Sequence, residues 1–319
     1  MAGKFVEFKK GELQLKKLSK TLLNQLDCYM NTEARPLERS VFNYYFNDSS
    51  SNDIFDSLEK FQNSDGGFGR GLEPDFKLIQ SSPMATSIGL RHLSKLDNND
   101  RAQKMIARAV EYLETTFDIH RKGWYCVPST VNKYPHAPWW EFRTDINMTV
   151  IDYSWGNPTA ELIGYLYKYK QHLNNLDIQL LINYAITNLN ERTEFRSEHE
   201  IYSYIRMYNA LDREFSSQIE EVLKLATSQL VNINQSEWMD YVPTPLKFIE
   251  IESKNFFGIE RKFIDQNLDH LVDRIEEDGK ILPAWQWDKY LEEWEIAKIE
   301  WMGILTIEAL LSLLKFNRI

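Results

Sequence analysis

Two carboxylates stand close together in residues 61–76, the glycine-rich stretch FQNSDGGFGRGLEPDF, where Glu73 and Asp75 flank Pro74. Charges at this spacing interact and raise the pKa of one carboxyl group, which is the property that a general acid needs. The alternative is structural, in which the two carboxylates cap helix N-termini or neutralise Arg70. The stretch therefore predicts either an acid catalyst or an ion-paired turn.

A second group of candidates lies in the aromatic segment 134–141, YPHAPWWE. Glu141 could complete a carboxylate pair across a binding mouth, as glycoside chemistry requires, or it could be a solvated loop charge. Asp145 has the same two interpretations. The large apolar rings of Trp139 and Trp140 stand in a polar loop, so they either cover a core or contact a ligand.

Tryptophan is concentrated between the predicted helices, where seven of the nine in the chain are found. Aromatic rings with a few polar groups are the usual lining of a small-molecule pocket. We expect Glu73, Asp75 and Glu141 to be its catalytic groups. The ligand-binding candidates are Arg70, Trp124, His136, Trp139, Trp140, Trp155, Asn157, Trp238, Trp285 and Trp287. Of these, Asn157 precedes a proline and is first of all a predicted helix cap.

Amphipathic helices must position these residues. Apolar residues at spacings of three and four predict a helix over residues 52–62, which Gly66 and Gly67 end because glycine takes left-handed backbone angles without strain. Ser82 followed by Pro83 predicts the start of the next helix. In chain order, the other helices are predicted at residues 13–31, 36–46, 83–96, 101–117, 157–170, 174–190, 198–211, 214–231, 261–277 and 291–316.

The letters Q-x-x-D-G-G-F-G at a helix C-terminus resemble the QW-type repeat of the terpenoid cyclase and protein prenyltransferase superfamily. The matching positions are Gln62, Asp65, Gly66, Gly67, Phe68 and Gly69. The following GLEPD, residues 71–75, resembles an extension found in uncharacterised bacterial members. The resemblance implies an α/α toroid. Asp65 is predicted to be structural, since an aspartate in this position commonly bonds its own turn backbone.

Internal repetition favours the same architecture. Residues 82–89, SPMATSIG, and residues 157–164, NPTAELIG, share a capping residue, proline, alanine, isoleucine and glycine in the same order. Both place small residues on one helix face, where a neighbouring helix can approach closely. Glycine turns recur at Gly66, Gly123 and Gly279. We predict an all-α fold, an (α/α) toroid or barrel of about five or six helical hairpins.

This alternation determines where the loops lie. The return turns at residues 97–100 and 171–174 are short, whereas the other connections are long, so all the long loops should gather at one end. We predict a single domain over residues 1–319, with the helix at 13–31 packed on its outside. Its loop-rich end should form a mouth lined with aromatic rings and carboxylates.

Composition excludes several classes of protein. The formal charge of −10, without a basic stripe, argues against a nucleic-acid partner. No signal peptide is evident, and the longest apolar stretch, residues 302–316, is too short and too charged to span a bilayer. Cys28 and Cys126 form no metal pair and the histidines show no metal spacing, so we expect no metal, no cofactor and a reduced, cytoplasmic protein. The expected partner is a small molecule or a glycan.

The catalytic motifs of the resembled superfamily are missing. The chain has no adjacent aspartates, and so neither the Asp-x-Asp-Asp motif of cyclases nor the Asp-Asp-x-x-Asp magnesium motif. Neither cysteine matches the zinc site of the prenyltransferases. Three functions stay open: a cyclase-like enzyme with Glu73 or Asp75 as the acid, a glycan hydrolase or lyase, and a non-catalytic binding module.

Overall fold

The computed structural model describes residues 15–319, which contain twelve α-helices and no β-strand. The all-α prediction is therefore confirmed for this part of the chain. The helices are α1 (Lys20–Thr32), α2 (Pro36–Phe46), α3 (Ser51–Leu58), α4 (Pro83–Leu93), α5 (Asp100–Thr115), α6 (Gly156–Lys168), α7 (Ile178–Asn190), α8 (Glu198–Ala210), α9 (Arg213–Ser216), α10 (Glu220–Leu230), α11 (Arg261–Asp278) and α12 (Leu291–Lys315). None of these helices has the length and apolarity needed to cross a membrane.

Most helix boundaries fall within a few residues of the predicted ones, because the capping residues act as expected. The Ser82 side chain accepts a hydrogen bond from the amide of Ala85, and Pro83 occupies the first position of α4. Two predicted helices differ. The first begins at Lys20 rather than at residue 13, and residues 13 and 14 lie outside the described range. The helix predicted at 214–231 is divided by a turn into α9 and α10.

Five helices contact one another in two groups, with α4, α6 and α8 in one and α2 and α12 in the other. Contacts join α4 to α6, α6 to α8, and α12 to α2. Each of the five also packs against a helix near it in the chain: α2 against α1 and α3, α4 against α5, α6 against α7, α8 against α10, and α12 against α11. Pairs of helices that are close in the chain and pack on each other thus account for most of the fold.

The two repeated glycines lie at close approaches. A Cβ atom on Gly164 would stand 2.8 Å from the Met207 Cα atom of α8, and one on Gly89 would stand 2.6 Å from the Phe68 ring. Neither separation is sterically possible, so only glycine lets these helices pack at this distance. The predicted small helix faces thus lie where neighbouring segments come closest.

The glycine turn is fixed by its own side chains. Gln62 donates to the Gly66 carbonyl oxygen at 2.8 Å and to a carbonyl of α5 at 2.9 Å. The Asp65 carboxylate accepts from the Gly67 amide at 3.1 Å, which confirms its predicted structural role. Gly66 has a φ of +91°, and a Cβ atom there would lie 2.2 Å from the Arg108 carbonyl oxygen. The turn therefore holds the following residues, 71–75, in a fixed place.

Candidate functional site

Three long loops meet at Glu73 and Asp75, which we call the carboxyl pair. Two backbone hydrogen bonds of 2.8 Å each join residues 75–77 to residues 135–137. The loop between α11 and α12 reaches the same place through Trp287, whose indole N–H donates to Asp75. Loops that are far apart in the sequence thus converge on one buried point.

Indole groups hold the Asp75 carboxylate. Its Oδ1 atom accepts hydrogen bonds from Trp287 Nε1 at 2.9 Å and from Trp301 Nε1 at 2.7 Å. Trp301 projects from α12, so this helix and the preceding loop both bind one carboxylate oxygen. Glu73 lies beside it, and its Oε1 atom accepts from the Asp75 amide at 3.1 Å. Both carboxyl groups are buried.

Burial is the main reason that both acids are weak. Loss of solvation, followed by repulsion from Asp75, raises the pKa of Glu73 to about 8. Burial likewise raises the pKa of Asp75 to about 6, although the indole N–H groups and Lys77 oppose the shift. Near neutral pH, Glu73 is therefore protonated and Asp75 is ionised. One proton is available at the pair.

Arg35 binds the backbone of the segment that carries the pair. It stands at the start of α2, where its guanidinium makes two 2.7 Å hydrogen bonds to Glu38. The same group donates to the carbonyl oxygens of Gly71 and Leu72 at 3.1 and 3.2 Å. Its charge is neutralised by Glu38, so Glu73 keeps a raised pKa even though Arg35 lowers it.

A chain of aromatic contacts leads from the pair to solvent. Trp301 packs edge-on against Trp285 with ring centroids 5.0 Å apart, and Trp285 packs edge-on against Tyr241 at 5.4 Å. The Tyr241 hydroxyl lies 2.7 Å from Nε2 of His199. Tyr241 is 53% exposed, so the chain begins at a buried carboxylate and ends at water.

An ionic network lies beside these rings. Glu161 of α6 is buried and pairs with Arg91 of α4 at 2.9 Å and with Arg206 of α8 at 3.3 Å. Arg206 also contacts Glu250 at 2.8 Å. The network connects α4, α6 and α8, and the Arg91 charge lowers the pKa of Glu73.

Glu308 of α12 is exposed to solvent, yet burial still affects its pKa. Glu308 has 51% of its side chain exposed and pairs with Lys247 at 3.0 Å. Burial nevertheless acts to raise its pKa, which Lys247, Arg91 and Arg206 lower. We call the charged and aromatic side chains of this region the polar hollow. Its members are linked by ion pairs and hydrogen bonds and comprise Arg91, Glu161, Glu198, His199, Arg206, Tyr241, Lys247, Glu250 and Glu308.

A separate surface depression of about 410 Å³ lies at Tyr208, Arg213, Glu220 and Lys254. It contains neither member of the carboxyl pair.

Four predicted ligand-binding residues lie near the pair. Trp285 and Trp287 were described above, and the Trp285 indole N–H is buried without a hydrogen-bond partner. His136 is buried in the loop that pairs with residues 75–77. Trp140 is also buried, with its ring edge-on to Phe76 at 5.1 Å and an unpartnered N–H. Trp140 thus packs beside the segment that carries the pair, whereas Trp139 is only half-buried.

Two charged candidates bind other side chains instead of the carboxyl pair. The Arg70 side chain is exposed and donates to Asn63 at 2.8 Å, so it does not neutralise the carboxyl pair. Glu141 is half exposed and pairs with Lys289 at 3.0 Å. The expectation that Glu141 completes a carboxylate pair is not met in this arrangement, because its charge is already compensated by a surface lysine.

The remaining candidates serve the fold. Trp124 is fully buried and donates to the Leu113 carbonyl oxygen at 2.8 Å, so it lies in the core and not at a mouth. Trp238 is buried and packs on His270. Trp155 donates to a loop carbonyl at 3.0 Å and packs on two tyrosines. Asn157 has non-helical angles at the start of α6, as expected of a cap.

Several residues near the carboxyl pair and in the hollow carry little signal in the sequence. Trp301 lies in a predicted helix rather than in a loop, and Glu161, in the first turn of a predicted helix, can be explained as a charge that favours the helix dipole. No metal spacing surrounds His199. A signal existed for Glu161, since it follows the repeated Asn-Pro cap on a face of small residues. The partner Arg91 lies on another helix, where one sequence gives no pairing signal.

Within residues 15–319, no group of three histidine, cysteine, aspartate or glutamate side chains could hold a metal ion. Cys126 is buried against the Asn157 carbonyl oxygen, and Cys28 is exposed.

Comparison of the chain with protein-family models, with curated proteins and with solved structures found no match.

Proposed function

We propose that the chain is a glycan-acting enzyme on an α/α toroid, in which Glu73 protonates the oxygen that leaves when a glycosidic bond is cleaved. The five helices, each packed against a helix near it in the chain, support the toroid. The observation that carries the proposed activity is the buried carboxyl pair, whose two members have different ionisation states near neutral pH.

The two carboxyl groups have separate tasks in this proposal. Glu73 keeps its proton until a leaving oxygen takes it, since its pKa of about 8 lies close to neutral pH. Asp75 stays ionised because two indole N–H groups bind its oxygen. Its negative charge keeps Glu73 protonated and stabilises positive charge that develops on the sugar ring in the transition state.

The lining of the hollow favours a polar substrate over a terpenoid. Terpenoid cyclisation needs an apolar cavity, whereas this hollow contains two arginines, a lysine and several carboxylates. The exposed Tyr241 ring and the adjacent Trp285 ring provide apolar faces with polar rims, which suit the faces of a sugar. Charged side chains beside them can bind hydroxyl groups.

The test is cleavage of defined oligosaccharides, including glucose, xylose, mannose, N-acetylglucosamine and uronate oligomers, measured as new reducing ends. We expect the wild-type protein to cleave at least one of them. Glu73→Gln should fold normally, bind the same oligosaccharide and lose turnover by about 100-fold or more, because an amide cannot donate the proton.

Glu141→Gln is the matched control, since Glu141 is a loop carboxylate paired with a surface lysine. Its turnover should equal that of the wild type. Binding of an oligosaccharide without cleavage would favour a non-catalytic binding module. Neither binding nor cleavage across the panel would remove the glycan proposal.

A further inference from the structure

We propose that Tyr241 and His199 form the proton-accepting pair of this site, with Tyr241 as the catalytic residue that touches the attacking water and His199 as its positioning residue. This inference rests on the proposed function and adds the group that acts opposite Glu73. Cleavage by water needs both a proton donor and a proton acceptor. The function proposed above supplies only the donor.

The geometry of the two side chains fits this role. His199 Nε2 and the Tyr241 hydroxyl are 2.7 Å apart, a normal hydrogen-bond distance. Tyr241 is 53% exposed, so a substrate or water can reach its side chain. The Tyr241 ring also packs on Trp285, which connects it through Trp301 to Asp75. The hydroxyl and the carboxyl pair therefore belong to one contiguous structure.

The charges around His199 keep its ring neutral. Burial lowers the pKa of His199, Glu198 raises it, and Arg206, Lys247 and Arg91 lower it further. A neutral imidazole has one bare nitrogen, and in the tautomer that this proposal requires it is Nε2, which then accepts the hydroxyl proton of Tyr241 across the 2.7 Å contact.

The charges of the carboxyl pair also act on the pKa of Tyr241. Burial raises the pKa of Tyr241, and the charges of Glu198, Asp75 and Glu73 raise it further. A free tyrosinate is thus disfavoured, and Tyr241 can lose its proton only as it takes another. A relay to His199 meets this condition.

Two other carboxylates of the hollow are held in ion pairs. Glu250 is bound to Arg206 at 2.8 Å and Glu308 to Lys247 at 3.0 Å. An ion-paired carboxylate is a weak base because the cation stabilises its charged form.

The proposed step balances in atoms and charge. Tyr241 takes a proton from the attacking water while it passes its own proton to His199 Nε2. The water oxygen forms a bond to the anomeric carbon, the glycosidic C–O bond breaks, and its electron pair goes to the leaving oxygen. That oxygen takes the proton of Glu73. Return of one proton from His199 to Glu73 through solvent restores the starting state, and no oxidant or reductant is needed.

The experiment uses the oligosaccharide that the wild-type protein cleaves in the panel described above. Tyr241→Phe and His199→Gln should each lower kcat by about 100-fold with less than about a threefold change in KM. The exposed Tyr153 lies outside the hollow, and Tyr153→Phe is the matched control with unchanged kcat. Cleavage in isotope-labelled water should place the label in the product.

The pH profile separates a proton-accepting role from a structural one. In the wild type, kcat/KM should fall at acid pH as His199 gains a proton and at alkaline pH as Glu73 loses one. The residual activity of His199→Gln should no longer show the fall at acid pH that protonation of His199 causes. Asp75 also titrates near pH 6, so Asp75→Asn identifies its part of that fall.

The outcomes distinguish this inference from the proposed function. Full activity of Tyr241→Phe and His199→Gln, together with an inactive Glu73→Gln, would overturn the proton-accepting pair alone. An unsaturated, unlabelled product would also overturn it. Imidazole nitrogen NMR of the free protein gives an independent result, because a His199 ring that is protonated at about pH 7 cannot accept a proton. Absence of any cleavage would remove the proposed function, and this inference with it.

Discussion

Glu73 differs from the carboxylates of the hollow because it is buried without an ion pair. Glu161 is also buried, but Arg91 and Arg206 lower its pKa against the effect of burial. Among residues 15–319, no cation pairs with Glu73, since the nearby Arg35 is bound to Glu38. Two residues of the same type in similar burial thus have opposite pKa shifts, and only Glu73 can act as an acid near neutral pH.

The raised pKa of Glu73 predicts a pH-dependent stability. The folded protein holds a proton at Glu73 that the unfolded chain releases, so this group lowers the free energy of unfolding as pH rises from about 4.5 to about 8. Glu73→Gln should remove most of that decrease, which we expect to be on the order of a few kcal/mol. Urea unfolding at several pH values measures it.

The matched control for this measurement is Glu141→Gln, which replaces a half-exposed, ion-paired carboxylate. Its stability curve should run parallel to that of the wild type. If Glu73→Gln also runs parallel, the pKa of Glu73 is not raised and the acid role fails.

At the scale of helices, the network around Glu161 joins three helices that are far apart in the chain. Arg91, Glu161 and Arg206 lie on α4, α6 and α8, so one buried carboxylate compensates cations from two neighbouring helices. The same contacts hold Arg91 and Arg206 at the edge of the hollow. Helix packing and the shape of the site therefore depend on the same ion pairs.

We predict that Glu161→Gln lowers the free energy of unfolding by about 3–5 kcal/mol at neutral pH, because it leaves two arginines without a buried counter-charge. The pKa of Glu161 is lowered in the folded protein, so the loss should shrink as pH falls and the native carboxylate gains a proton. Asp145→Asn breaks the exposed pair with Arg143 and should change little. Equal effects of the two variants would contradict a structural role for the network.

These elements also show what one sequence can predict. The helices followed from apolar spacing and from caps such as Ser82, because those signals act over a few residues. The carboxyl pair followed from the spacing of Glu73 and Asp75. The indole of Trp301 and the partners of Glu161 could not be predicted, since they come from distant helices that only tertiary packing brings together. Trp124 shows the converse. Its place in a predicted turn indicates a ligand contact, but its side chain fills the core.

At the scale of the whole molecule, the two ends of the described chain meet. The Leu18 amide donates to the Arg318 carbonyl oxygen at 2.8 Å. The Arg318 guanidinium is buried and donates to the Lys16 carbonyl oxygen at 2.7 Å, to Asp269 at 2.7 Å and to Asp265 at 2.8 Å. One arginine therefore joins the segment before α1, the end of α12 and helix α11 to one another.

Replacement of Arg318 tests this closure against a control that shares its partner. Arg318 is 2% exposed and Arg261 is 54% exposed, yet both pair with Asp265. Arg318→Met should lower the free energy of unfolding by about 3 kcal/mol, because it removes a buried cation from two carboxylates, whereas Arg261→Met should cost less than about 1 kcal/mol. Hydrogen exchange at the Leu18 amide should accelerate only in Arg318→Met, since the hydrogen bond to residue 318 then opens more often. Similar stability of the two variants, with Leu18 still protected, would show that helix packing alone joins the ends of the chain and that Arg318 adds nothing to the closure.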